Sequence, residues 1–248
     1  MSDNFGRVAI GVRCGFSPDP VFLTSWTHLI LGNLRTGDRV LSPCVELPVH
    51  HAANTLAFQF LESECDTLLM LDDDMTFECE KLTKLRDNLE NHEYGIVQGL
   101  CCSRRPPNAP IVLLPGDIEE TYRPAKPEAG VGPDTIEVAM VGLAFTLIRR
   151  TVFEAVDKQR AGDELYFHWG KNGRGEDADF CLKARRAGAK IGVDTSVAIG
   201  HRMKVEAIWN LEKGETEYRA YGNPNFLEML KEQGERVKNN AERAGDKQ

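Results

Sequence analysis

No apolar run in this 248-residue chain approaches the roughly 20 residues that a membrane-spanning helix needs. The opening Met1-Ser2-Asp3-Asn4 lacks the basic and apolar regions of a secretory leader. Paired cysteines are missing too. The chain has 7 Cys, an odd number without regular spacing and without a Cys-x-x-Cys; Cys101 and Cys102 are adjacent. That pattern fits a reduced, cytoplasmic protein better than a disulfide scaffold. Basic charge is in deficit: the net charge is -8 and the sequence pI about 5.4. This argues against a broad duplex-binding face but leaves room for a small basic groove. Internal repeats are absent as well. What remains is ordinary globular composition, 42% apolar and 27% charged. The length suits one large α/β domain or two small ones.

The most informative feature is a short aliphatic run that ends in carboxylates. Thr67-Leu68-Leu69-Met70-Leu71 leads directly into Asp72-Asp73-Asp74. A short, bounded, aliphatic run reads as a buried strand. Three like charges at its end repel one another unless a cation lies between them. The C-terminal ends of strands are where open α/β sheets bind ligands. Clustered oxygens there suit a hard divalent ion, Mg²⁺ or Mn²⁺, and through it a phosphorylated ligand. An EF-hand is excluded because its sixth position must be Gly, and here it is Phe77.

Around this segment, the pattern predicts strands over 8–12 and 40–45, with a helix over 22–31 between them. A helix over 51–64, with Ala53, Leu56, Ala57, Phe60 and Leu61 at helical spacing, leads into the acidic strand. A helix over 78–91 and a strand over 95–101 follow. This alternation predicts a mostly parallel sheet with helices on both faces. Residues 104–133, rich in Pro and Gly, read as a long loop or small insertion. Next come a strand pattern over 138–148, a helix over 151–160, and a polar, glycine-rich loop that carries Tyr166, Phe167, His168 and Trp169. A helix over 176–187 and an extended segment over 190–199 end at Gly200-His201. Beyond Gly222 the chain is highly charged, and from about Lys231 a loose helix or disordered tail is expected.

Two further groups carry candidate chemistry. Gly175-Glu176-Asp177-Ala178-Asp179-Phe180 places acids in the first turn of a helix, where the dipole favours them. They also follow an aromatic loop able to fold over a ligand, with Trp169 offering a face to a sugar ring or base. A carboxylate there can act as general base on an incoming hydroxyl. His201, late in the chain, is by itself a residue more often structural than ligating; beside an acidic metal site it becomes an extra ligand. Arg13, Arg104, Arg105, Arg149 and Arg150 are candidate phosphate contacts. Asn54 either caps its helix or touches a nucleotide.

Four segments in order resemble the GT-A fold glycosyltransferases, especially the family-2-like group with its short bacterial and phage members. They are the acidic strand 68–75, the strand-to-helix segment 141–153, the helix start 175–181, and Gly200-His201. The resemblance covers roughly residues 6–203. It implies a single GT-A, Rossmann-like domain over 1–203, with 204–248 as a helical, charged C-terminal extension. By this resemblance Asp72 and Asp74 form the Asp-x-Asp motif. Asp74 binds the Mn²⁺ or Mg²⁺ that bridges a nucleotide-sugar diphosphate, and Asp72 contacts the ribose or the metal shell, with Asp73 beside them. His201 matches a late metal-binding histidine, and Asp177 with Glu176 the acidic pair that supplies the base in inverting members. The strand over 8–12 cradles the nucleotide base. Where relatives often read Ala-Arg-Asn, this chain reads Ala52-Ala53-Asn54, leaving Arg13 or Arg104 to supply the missing contact.

The implied activity is a hexosyltransferase-like transfer from a nucleotide-sugar, with a UDP-sugar the commonest donor, to an acceptor hydroxyl. A glycan, a lipid, a protein or a modified DNA base remains open as the acceptor. Two other readings compete. Asp72-x-Asp74-x-Thr76 also fits the opening motif of haloacid-dehalogenase phosphatases, although that family places it on the first strand. A non-catalytic nucleotide-sugar-binding module is the other.

Overall fold

The computed structural model describes residues 6–15, 17–104, 108–117, 121–125, 127, 135–162, 164–169, 174–203 and 205–220. The tail expected from Lys231 lies outside them.

The first half alternates as the pattern requires. It runs β1 (Val8–Cys14), α1 (Pro20–Asn33), β2 (Arg39–Val40), β3 (Cys44–Val45), α2 (Val49–Glu62), β4 (Thr67–Asp72), β5 (Met75–Thr76), α3 (Glu80–Asn91) and β6 (Ile96–Leu100). The insertion forms a small hairpin, β7 (Leu113–Pro115) with β8 (Tyr122–Pro124), before β9 (Thr135–Val138), β10 (Phe145–Arg149), α4 (Arg150–Asp157), α5 (Glu176–Arg186) and β11 (Ile191–Ala198). The described chain closes with β12 (Gly200–Arg202), β13 (Val205–Asn210) and β14 (Glu215–Ala220). Among the described residues, no helix is long and apolar enough to cross a membrane.

The central eight-stranded sheet has the order β2-β1-β4-β10-β6-β11-β9, with β3 beside β1. Strands β2, β3 and β4 lie parallel to β1, and β11 lies parallel to β6. β10 is antiparallel to both β4 and β6, so β6 shares the direction of β4. The sheet is therefore mostly parallel, with β10 and the edge strand β9 reversed. Side chains alternate between faces as strand geometry demands. Leu68 and Met70 of β4 join the layer under α2, α4 and α5, which includes Phe60, Phe153 and Phe180. Leu69 and Leu71 join the layer under α1 and α3, with Leu29, Leu82 and Leu85. Helix α2 sits close on β1 because Gly11 leaves room for it: a Cβ there would lie 2.8 Å from the Leu56 side chain.

Three expectations change. Residues 138–148, read as one strand, are strand only at their ends: β9 stops at Val138, β10 starts at Phe145, and between them Leu143 adopts a left-handed conformation with φ 56°. The strand over 40–45 is two short edge pieces. The segment after 203, expected to be helical, begins as a hairpin whose turn ends at Gly214, φ 64°. Trp209 of that hairpin is buried in the main core, and this anchors it.

Asp38 ties the lower edge of the sheet together. It accepts hydrogen bonds from the backbone N–H of Val8 (2.8 Å) and of Arg35 (2.9 Å), and it pairs with Arg86. Both side chains of the ion pair are nearly fully buried; it is made by Arg86 Nη2, and Nε and Nη1 have no hydrogen-bond partner among the described residues. Asp38→Ala would leave a buried guanidinium without its counter-charge. We expect a loss of about 3–5 kcal/mol, read by urea unfolding.

Candidate active site

The site assembles at the C-terminal ends of the parallel strands, and strand register accounts for most of it. Arg13 and Asp72 are direct partners in the β1–β4 ladder. Their side chains therefore share a face, and Arg13 Nε donates to Asp72 Oδ1 at 2.7 Å. A second, four-stranded sheet, β14-β13-β12-β5, rises from the turn after β4. Its β12–β5 ladder pairs His201 with Met75, and the Arg202 N–H donates to the Asp74 carbonyl at 2.7 Å. A histidine distant in sequence is thus laid beside the acidic turn by backbone pairing.

Within this frame, His201 Nε2 lies 3.5 Å from Asp74 Oδ2, and Arg104 Nη1 reaches the same oxygen at 2.8 Å. Burial pushes the Asp74 carboxyl upward, but His201 and Arg104 outweigh it and hold the group below the usual carboxylate range. Asp72 goes the other way: burial, with Asp74 nearby, raises it against the pull of Arg13. Asp73 turns outward to organise the neighbouring loop. Its Oδ2 accepts from the Gly15 N–H (2.7 Å) and its carbonyl from the Asp19 N–H (3.0 Å). Burial and Asp73 also push the adjacent Cys14 thiol up to about 11, so it is no thiolate nucleophile at neutral pH.

The residues fit a divalent cation in a specific way. Among the described residues Asp74 Oδ1 is buried without a hydrogen-bond partner, an arrangement that normally costs free energy. His201 Nδ1 lies 2.8 Å from the Cys102 carbonyl. A carbonyl can only accept, so Nδ1 carries a proton there, and Nε2 is the ring nitrogen that faces Asp74. Among the described residues no three His, Cys, Asp or Glu side chains form a ready-made ligand cluster. Asp74 and His201 are the side chains that would hold Mg²⁺ or Mn²⁺, with water and substrate phosphate oxygens left to complete the shell.

Across the site, α5 begins at Gly175, which has no side-chain cap. Glu176, Asp177 and Asp179 occupy the first turn and Lys183, Arg185 and Arg186 the last, a distribution that suits the helix dipole. Glu176 is buried and meets Arg13 Nη1 at 3.3 Å. Asp177 accepts from the Ala178 N–H at 2.7 Å, yet burial and then Glu176 push its carboxyl up to about 6.

Other expected residues lie elsewhere. Asn54 is buried, and its side chain is engaged by backbone: Nδ2 donates to His50 O and Phe167 O, both at 2.7 Å, and Oδ1 accepts from Phe167 N at 3.2 Å. It fastens the aromatic loop to α2. Trp169, on that loop, is 52% exposed. Arg149 and Arg150 point away from the site because β10 runs antiparallel. Arg149 binds the Tyr94 and Leu89 carbonyls, and Arg150 caps the carbonyl end of α2 at Phe60, Leu61, Ser63 and Cys65. Two residues escaped the sequence reading. Asp19 caps α1 through the Val21 N–H and meets Arg202 Nε at 3.2 Å, joining the first helix to the histidine strand. A carboxylate ahead of a proline at a helix start was the available signal.

The chain matches no family model and no curated protein. Among solved structures, the crystal structure of A197 from STIV aligns with a TM-score of 0.55 at 15% identity, covering 87% of this chain and 95% of that one. The likeness is one of fold: a mixed α/β protein with a large, mostly parallel central sheet flanked by helices, consistent with a Rossmann-like GT-A arrangement. The crystal structure of GalNAc-T7 with UDP, GalNAc and Mn²⁺ aligns with a TM-score of 0.47 at 11% identity, covering 81% of this chain and 44% of that one.

Proposed function

We propose that this chain is a metal-dependent glycosyltransferase that moves a sugar from a nucleotide-sugar, most readily a UDP-sugar, to an acceptor hydroxyl. The observation that carries this reading is Asp74. Its Oδ1 is buried with no hydrogen-bond partner among the described residues, and its Oδ2 lies 3.5 Å from His201 Nε2 at the C-terminal edge of the sheet. Mn²⁺ or Mg²⁺ held by Asp74 and His201 would supply Lewis-acid neutralisation of charge on the diphosphate leaving group.

The chain's own groups account for the rest. Arg104, an exposed guanidinium at Asp74 Oδ2, suits phosphate oxygens by its fork of donors. Asp177 takes the proton of the acceptor hydroxyl as the oxygen attacks the anomeric carbon. A carboxyl near pH 6 is ionised at neutral pH yet basic enough for the task. Trp169 offers an apolar face for a sugar ring or base. A glycan, lipid, protein or modified DNA base are the acceptor classes this chemistry allows.

The test is release of nucleoside diphosphate from a panel of UDP- and GDP-sugars with Mn²⁺, alongside hydrolysis of p-nitrophenyl phosphate. Nucleoside diphosphate release without phosphate-ester hydrolysis supports the reading. Ester hydrolysis alone favours the phosphatase, and nucleotide binding without turnover the binding module.

A further inference from the structure

Arg13 was a candidate phosphate contact, but its surroundings give it another task. The residue is only 5% exposed, and all three guanidinium nitrogens are engaged within the protein. Nε binds Asp72 on β4, Nη1 binds Glu176 at the start of α5, and Nη2 faces the Gly142 carbonyl at 3.5 Å. These three partners belong to three segments: β4, the start of α5 and the turn before β10. The turn over 142–144 is held from both sides, since the Asp72 N–H donates to the Ala144 carbonyl at 3.0 Å. Between those two carbonyls sits Leu143, kept in the left-handed conformation. A non-glycine residue there is strained, and such strain persists only where the surroundings over-determine it.

We propose that Arg13 and Glu176 are positioning residues. Together they form a buried clamp that fixes the acceptor-side helix start, and with it Asp177, relative to the acidic strand end that holds the donor. Gly175 offers no side chain to cap α5, and the Glu176–Arg13 pair ties the first residue of the helix to β1. Asp177 then follows as the next residue. Glu176, tied to a guanidinium, is not a second base, and Arg13, paired twice, is no open phosphate site. A lysine cannot replace this arrangement. One ammonium lacks the planar fork that reaches two carboxylates and a carbonyl at once.

The kinetic part of this inference rests on the glycosyltransferase reading; the mechanical part does not. Hydrogen exchange read by mass spectrometry over residues 174–186 tests the clamp directly in Arg13→Lys, Glu176→Gln and the double variant. We expect exchange in the first turn of α5 to quicken by about tenfold in each single variant, and the double variant to match Arg13→Lys within about twofold, as coupled partners do. In donor turnover, kcat should fall by about tenfold or more while KM for the nucleotide-sugar shifts by less than about threefold. Unchanged exchange at α5, or effects that multiply in the double variant, would overturn the clamp. Glu176→Gln keeps the side-chain shape and carries the test if Arg13→Lys folds poorly. A wild type without nucleotide-sugar turnover counts against the proposed function, and the exchange result still decides the clamp.

Discussion

Asp177→Asn is expected to lower kcat by about 10²- to 10⁴-fold while leaving metal-dependent nucleotide binding in place. The reason is the environment of the carboxyl. Burial and the neighbouring Glu176 raise it to about 6, so it is poised to accept a proton near neutral pH. The wild-type rate should then lose about tenfold per pH unit below pH 6, as the base becomes protonated, and level off above it. The residual rate of the variant should lack that acid limb. A control separates chemistry from collapse. Because folding raises this group, its charge opposes the folded state, increasingly as pH climbs from the ordinary carboxylate value through 6. Asparagine removes that charge, so the melting temperature at pH 7.5 should not fall. A large loss of stability in this variant would mean that the carboxylate holds the helix start together rather than serving the reaction.

The second large effect is on the other side of the cleft. Asp74→Ala should weaken Mn²⁺-dependent binding of a nucleoside diphosphate by about 100-fold or more, and EDTA should then make no further difference. Alanine removes both the oxygen that has no partner among the described residues and the one that faces His201 and Arg104. Asp73→Ala makes the contrast. That carboxylate serves the Gly15 backbone, so its loss should act on the loop over 15–19 and far less on metal dependence.

Much of this was legible in the chain before any coordinates. The β/α alternation is written in hydrophobic periodicity, and the carboxylates after β4 stand out because five apolar residues precede them. What periodicity does not encode is strand direction and neighbour. Nothing in Phe145–Arg149 says that it inserts antiparallel between β4 and β6, and that reversal carries Arg149 and Arg150 away from the site. Asn54 shows the same limit for a side chain. An asparagine early in a helix can face a ligand or a neighbouring loop, and only the Phe167 backbone decides between them. The hairpin over 205–220 was obscured by its charge, although Trp209 is the residue that secures it to the core. The Arg13–Asp72 contact follows from a register, Arg13 opposite Asp72, that two separate strands reveal only once paired.

The central claim is that the acidic turn and His201 form a metal-dependent site for a nucleoside diphosphate. Calorimetric titration of UDP and of GDP into the wild-type protein, once with Mn²⁺ and once with EDTA, tests it most directly. The account predicts saturable binding of one nucleotide with Mn²⁺ that disappears in EDTA, and the preferred nucleotide identifies the donor class. Absence of binding by either nucleotide in both conditions, or binding of equal strength with and without the metal, would contradict it.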